Sequence, residues 1–260
     1  MPNKKKTMSD KKIAAAAKLL LDARARQTTI AGLPDACRPA TAEQAYAIQD
    51  AVAFELGPIG GWKVGAKGIS DEPTCAPLPA ATVMAGPGKL ASGLYPLRGI
   101  EAEIAFRLQH DLPSRAQPYT LAEVLDAVGS VHPAIEVVES RYTDRTQADP
   151  LSGLADAASH GALIYGEGRS TDLAIKQPEQ TAELYFDAQQ VVHETGANPA
   201  VDVLRLLVWL ANHVASRHGG LKAGQIVTTG SCTGLLFVGP TAQVSALLPG
   251  LGQADLSFYA

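Results

Sequence analysis

Glu101 and Glu103 stand two residues apart in the stretch IEAEIAF, residues 100–106. The apolar and β-prone residues around them predict a strand, and side chains at i and i+2 of a strand share a face. Two like charges are therefore set side by side on a segment whose other face, Ile100, Ala102, Ile104 and Phe106, suits a core. Burying an unpaired carboxylate costs several kcal/mol, roughly, so water or a cation must compensate. On spacing alone, two hydrated glutamates on the polar face of a half-exposed strand account for the pattern. Glu136 shifts the balance. It is an isolated acid flanked by Ile135, Val137 and Val138 in PAIEVVES, a poor setting for a solvated side chain. If its strand lies beside the first, three carboxylates meet. Such a donor set suits a hard divalent cation, Mg²⁺ or Mn²⁺, with waters completing an octahedron.

Lys63 lies among Trp62, Val64 and glycines in GWKVG. Two readings stay open: a surface lysine whose stem packs on Trp62, or a partly desolvated lysine near a metal. In the second, both influences lower its pKa and let it carry a proton near neutral pH. The glycine-rich TTGSCTG, residues 228–234, brings the hydroxyls of Ser231 and Thr233 to a turn that can hold a carboxylate; by itself it also reads as an ordinary connection between strands. It is no nucleophile elbow, because Cys232 occupies the central position. Asp156 in DAASHG is either an acid supporting the site or the cap of a turn. His132, His160 and His193 show no metal-ligand spacing and are expected to be structural.

These residues need a scaffold. The chain has 260 residues, enough for one sizeable core. Its net charge of −4 argues against a nucleic-acid partner. Three scattered cysteines, Cys37, Cys75 and Cys232, form no CxxC pair and point to a reducing cytoplasm. No targeting segment is expected, since Lys18 and Asp22 interrupt the early apolar run. No run of about 18 apolar residues predicts a membrane span. Residues 1–8 read as a disordered basic tail and 9–60 as a helical part, with Ser9 a cap and Thr41/Gln44 a capping box. Residues 61–260 read as a β-rich core within the same structural domain, with residues 71–99 mostly loop. Thr120/Glu123 cap a short helix, and a strand carries Glu136, with Pro133 marking an edge or bulge. Further strands are expected at 162–166, 183–192, 225–229, 235–238 and 254–258. A last helix should run from an Asn198-Pro199 cap to Gly219-Gly220. Strands do not alternate regularly with helices, so a mixed, mostly antiparallel α+β core is expected rather than a parallel sheet.

AYAIQDAV, GWKVGAK, IEAEIAFRLQHDLP, PAIEVVESRY, LADAASHG, LKAGQIVTTGSCTG and the terminal GLGQADLSFYA occur in this order. In that order they resemble the 2-keto-4-pentenoate hydratases and the related 4-oxalocrotonate decarboxylases of the fumarylacetoacetate hydrolase superfamily. The resemblance spans nearly the whole chain after about residue 10. It implies a β-roll or sandwich core with a helical N-terminal part, and Mg²⁺ or Mn²⁺ held by Glu101, Glu103 and Glu136. It further implies Lys63 beside the substrate, Asp156 as a supporting catalytic acid, and Ser159, Ser231 and Thr233 as substrate-binding hydroxyls. The implied activity is addition of water to a 2-hydroxy-2,4-dienoate, in a homo-oligomer or a complex with a pathway partner. Decarboxylation of a 2-oxo acid is the alternative. Acylpyruvate hydrolysis would need a His/Glu pair before Glu101, whereas the first histidine is His110; a non-catalytic subunit of such a complex is the remaining option. Two positions differ from the family pattern: Thr74-Cys75 stand where an acid follows the lysine strand, and Ala157 replaces an asparagine.

Overall fold

The computed structural model describes residues 8–169 and 179–260. The basic tail expected at residues 1–8 lies outside them except for Met8, which packs half-buried against the core. Helices α1 (Asp10–Arg26) and α2 (Ala42–Leu56) pack on each other. Thr41 caps α2, its hydroxyl accepting from Gln44 N at 3.3 Å, and Gly57 at φ +94° ends it. Then follow β1 (Ile59–Gly65), β2 (Thr74–Pro79), β3 (Val83–Ala85), β4 (Gly88–Ala91), β5 (Gly99–Leu108), β6 (Leu112–Pro113), α3 (Leu121–Ala127) and β7 (Val128–Val138). Next come α4 (Pro150–Ala155), β8 (His160–Tyr165), β9 (Thr181–Phe186), β10 (Gln189–Thr195) and α5 (Val203–Ala215). The chain closes with β11 (Gly220–Leu221), β12 (Ile226–Ser231), β13 (Leu236–Phe237), β14 (Gln243–Leu248) and β15 (Gly252–Tyr259).

The larger sheet runs β2-β1-β12-β5-β7-β8-β3, with β13 pairing the start of β5; the second runs β10-β9-β14-β15-β4. Most pairings are antiparallel, as expected; β1–β12, β3–β8 and β4–β15 are parallel. The second sheet packs across β7 and β8. The core face of β5 lies in the principal apolar cluster, with Ile100, Ala102 and Ile104 at 0% exposure. Fully burying each large aliphatic side chain contributes roughly 1.5–3 kcal/mol. No described helix is long and apolar enough to cross a membrane.

Four expectations need correction. Residues 71–99, expected to be mostly loop, hold three short strands, because β2 zips against β1 and β3 and β4 each find a parallel partner. Residues 183–192 form a hairpin, turned at Asp187-Ala188, both at positive φ, as a two-residue hairpin turn requires. Pro133 sits in a central strand, just past the β7–β8 ladder that starts at Ala134–Tyr165. Its carbonyl accepts from Gly166 N, so its missing N–H faces the side where β8 has already ended. The last helix starts at Val203, capped by Asp202, whose carboxylate accepts from Leu204 and Arg205 N–H. Asn198 is not that cap: it is buried, and its side-chain amide donates to the carbonyls of Thr229 and Gly230 at 2.9 and 3.0 Å.

Candidate active site

The β5–β7 register places Glu101 directly opposite Glu136, and Glu103 shares the Glu101 face. Ligand-capable oxygens of all three lie within 4.8 Å of one another. Glu103 and Glu136 are each 1% exposed and Glu101 is half-buried. Opposite Glu103 stands only Ala134, which leaves room above it. On its other side β12 is bulged, slipping one residue between Thr228 and Ser231. Gly230 makes that bulge at φ +91° and turns its N–H onto Glu103 Oε2 at 3.1 Å. Asn198 holds the bulge from behind.

Lys63 reaches the cluster from β1, whose parallel partner β12 separates it from β5. Its Nζ donates to Glu136 Oε1 at 2.7 Å and to the Ala158 carbonyl at 3.1 Å, leaving one N–H for the cavity it lines. The side chain is 17% exposed, so it is not a surface lysine. The lowered pKa expected of it is not found with the carboxylates alone. Burial pulls downward, but Glu136, Glu101 and Glu103 together hold the ammonium above its ordinary value. Burial and the neighbouring Glu136 carboxylate raise Glu101, and the same two causes with Glu101 push Glu103 well above the carboxylate range. Burial also opposes ionisation of Glu136, but Lys63 and His160 outweigh it and keep this acid ionised. Glu136 Oε2 is buried without any hydrogen-bond partner. An orphaned carboxylate oxygen facing two more acids is the donor set a divalent cation would satisfy, so the residues present fit a metal.

The other candidates divide. Ser231 lines the cavity with Val64, Gly65, Thr74, Cys75 and Ala158, around a space of about 130 Å³. Thr233 instead stitches its turn to β5: its hydroxyl accepts from Ala102 N at 3.0 Å and donates to Gly234 O. Asp156 does not face the cavity. Its carboxylate accepts from the backbone N–H and side chain of Arg141, and Arg141 also reaches the carbonyls of Asp156 and His160. It thereby staples the turn that aims Ala158 O at Lys63, and contacts no reacting position. Ser159 contributes through its backbone, accepting from Glu139 N and donating to Asp156 O. Ala157, Ala158 and Ser159 all have positive φ, near 50°, 49° and 63°, an arrangement that costs roughly 1 kcal/mol per non-glycine residue.

His160, read as structural from its spacing, touches the site. It is fully buried; Nδ1 lies 3.2 Å from Glu136 Oε1 and Nε2 2.9 Å from Thr82 Oγ1. Burial pulls its pKa to about 4. Only the adjacency of His160 to the loop motif pointed to it, since β8, which brings it to Glu136, is set by sheet order. His132 bonds Ser130 and Gly166 O, and His193 is an exposed partner of Glu183; both stay outside the site.

The Fumarylacetoacetate (FAA) hydrolase C-terminal profile matches residues 79–257. The chain belongs to the fumarylacetoacetate hydrolase family. Within that family it is 30% identical over 267 residues to the 2-keto-4-pentenoate hydratase of Burkholderia vietnamiensis (strain G4 / LMG 22486), covering 96% of this chain and 98% of that one. It is 32% identical over 161 residues to a 4-oxalocrotonate decarboxylase of Pseudomonas putida, covering 61% and 59%. Its fold matches the solved structure of 4-oxalocrotonate decarboxylase from Pseudomonas putida G7 complexed with magnesium and adipate, at TM-score 0.85 and 24% identity over 97% and 99% of the two chains. The mixed α+β core expected from the sequence is the fold of this family.

Proposed function

We propose that the chain is a metal-dependent hydro-lyase that adds water to a short 2-hydroxy-2,4-dienoate, giving a 4-hydroxy-2-oxo acid, as in meta-cleavage aromatic catabolism. The observation that carries this reading is the three-carboxylate cluster with Lys63 bonded to one member and an N–H left for the cavity. Glu101, Glu103 and Glu136 would hold Mg²⁺ or Mn²⁺. The ion supplies positive charge against the substrate carboxylate and its 2-oxygen, where enolate charge develops. The Lys63 ammonium gives a proton to C5 and recovers one from the 2-hydroxyl as the dienol ketonises. Water then adds at C4 and a proton at C3. Ser231 orients the substrate carboxylate. Lys63 is the one cation among the described lining residues and is already engaged with Glu136.

One feature favours a second reading, loss of CO₂ from a vinylogous β-keto acid. Beyond the metal cluster, no carboxylate lines the described cavity to activate water. Thr74 and Cys75 stand there instead, and burial pushes the Cys75 thiol up to about 12. In decarboxylation the C5–C6 bond breaks, its electron pair passes into the dienolate, and a proton completes the dienol, so no water need be activated. The test is turnover with Mg²⁺ or Mn²⁺ on 2-hydroxypenta-2,4-dienoate and on 4-oxalocrotonate. Loss of dienol absorbance with a 4-hydroxy-2-oxo acid as product supports hydration; CO₂ release supports the second reading. Absence of both, with metal bound, overturns catalysis of either kind. The reading also takes the chain as a cytoplasmic homo-oligomer. Its support is the family resemblance and three buried free cysteines, and light scattering tests the assembly.

A further inference from the structure

We infer that His160 is a positioning residue for the metal site: its Nδ1–H engages one oxygen of Glu136 so that the other faces the cation, and Thr82 fixes the ring that does so. The inference rests on the cation-site reading above and extends it to residues not assigned there.

The geometry leaves little freedom. Glu136 Oε1 receives two donors, Lys63 Nζ at 2.7 Å and His160 Nδ1 at 3.2 Å, while Oε2 is buried and unpartnered. A carboxylate with one oxygen so engaged offers a cation the other oxygen alone. Without the imidazole, Glu136 can rotate about its last torsion and present either oxygen, or both, to Lys63. His160 is 0% exposed, so bulk water does not compete with it for Glu136. Its ring is held at the far end by Thr82 Oγ1, 2.9 Å from Nε2, and Thr82 is itself 2.8 Å from Pro79 O. Thr82 has a single hydroxyl proton, for which Pro79 O and Nε2 are alternative acceptors. The one proton of the neutral ring belongs on Nδ1, because a bare nitrogen there would face a carboxylate lone pair in a dry site, so the Thr82 hydroxyl turns to donate to Nε2. The carbonyl of the same residue accepts from Arg141 and Arg24 at 2.9 and 3.2 Å, which fixes the backbone from which the ring projects. Groups oriented in this way behind a metal ligand typically contribute 10–100-fold in metal affinity.

The test is Mn²⁺ affinity by calorimetry, without substrate, on the full chain. His160→Leu should weaken binding 10–100-fold. His160→Asn, whose amide N–H can occupy the Nδ1 position, should restore most of it. Thr82→Val should weaken binding and Thr82→Ser should not. Circular dichroism and a cooperative melt establish that each variant is folded. Histidine ¹⁵N spectra of the parent protein supply a measurement that needs no variant to fold: Nδ1 of His160 should be protonated, and the resonance is assigned by its loss in His160→Asn. An unprotonated Nδ1, or a folded His160→Leu with parent affinity, overturns the inference. If the parent protein itself binds no Mn²⁺, the cation-site reading fails instead.

Discussion

Replacing Glu103 by glutamine should stabilise the metal-free protein and abolish its response to metal. Glu103 has two carboxylates within 4.8 Å. Each such pair repels by about 3.5 kcal/mol at an effective dielectric constant near 20. Lys63 and the Gly230 N–H oppose that repulsion, and proton uptake by Glu103 limits it further. The net relief on removing the charge is then about 1–3 kcal/mol. The amide oxygen can still accept from Gly230 N, so no new orphan is made. For 260 residues this corresponds to a rise in Tm of about 2–5 °C in EDTA near pH 7.5. The sign follows from linkage. The folded-state pKa of Glu103 lies above its unfolded value, so the folded chain binds the extra proton. Stability is complete below the unfolded pKa and is lost as pH rises through the folded one. The parent should therefore lose metal-free stability on that climb, with a smaller loss in Glu103→Gln. Saturating Mn²⁺ at about 100 times its Kd should stabilise the parent by about 2.7 kcal/mol and leave the variant unmoved. A variant that melts below the parent in EDTA, or that still gains the metal-induced shift, would refute both the electrostatic reasoning and the role of Glu103 as a ligand.

Lys63→Ala should lower kcat by about 10²–10⁴-fold, the usual weight of a positioned proton carrier, with much less effect on Mn²⁺ affinity; equal turnover removes Lys63 from the chemistry. Ala157→Asn should raise stability by about 0.5–1 kcal/mol in urea unfolding, because asparagine tolerates the left-handed conformation found there. Asp156→Asn should cost about 3–5 kcal/mol by leaving the buried Arg141 guanidinium without its counter-charge; an unchanged urea midpoint would show that the staple is not needed. Thr74→Asp, which returns an acid to the cavity wall, should shift product towards the hydrated acid in a competition followed by product analysis.

Two levels of information separate what the sequence disclosed from what it did not. The period-2 placement of Glu101 and Glu103, and the apolar residues around Glu136, are local, and local pattern is what strand geometry converts into a shared face. Capping is local in the same sense: Thr120 and Glu123 close the expected box, and Thr41 caps Gln44 N as expected, although the Gln44 side-chain oxygen accepts from Ala40 N. Whether Glu136 lay beside Glu101 was a question of sheet order, and the β5–β7 register answers it with a direct pair. The roles of His160, read as structural, and Asn198, read as a helix cap, were not legible because their partners are fixed by non-local order: His160 meets Glu136 only because β8 flanks β7, and Asn198 meets Gly230 only because α5 leads back to β12. Asp156 shows the converse error. A conspicuous acid in a polar loop suggested chemistry, but a carboxylate at 4% exposure must first satisfy its own desolvation, and Arg141 does so completely enough to leave nothing for a substrate. The turn it staples then sets the Ala158 carbonyl against Lys63. The acid acts on the lysine after all, through three left-handed residues whose strain is sustained only because Arg141 and Asp156 hold both ends.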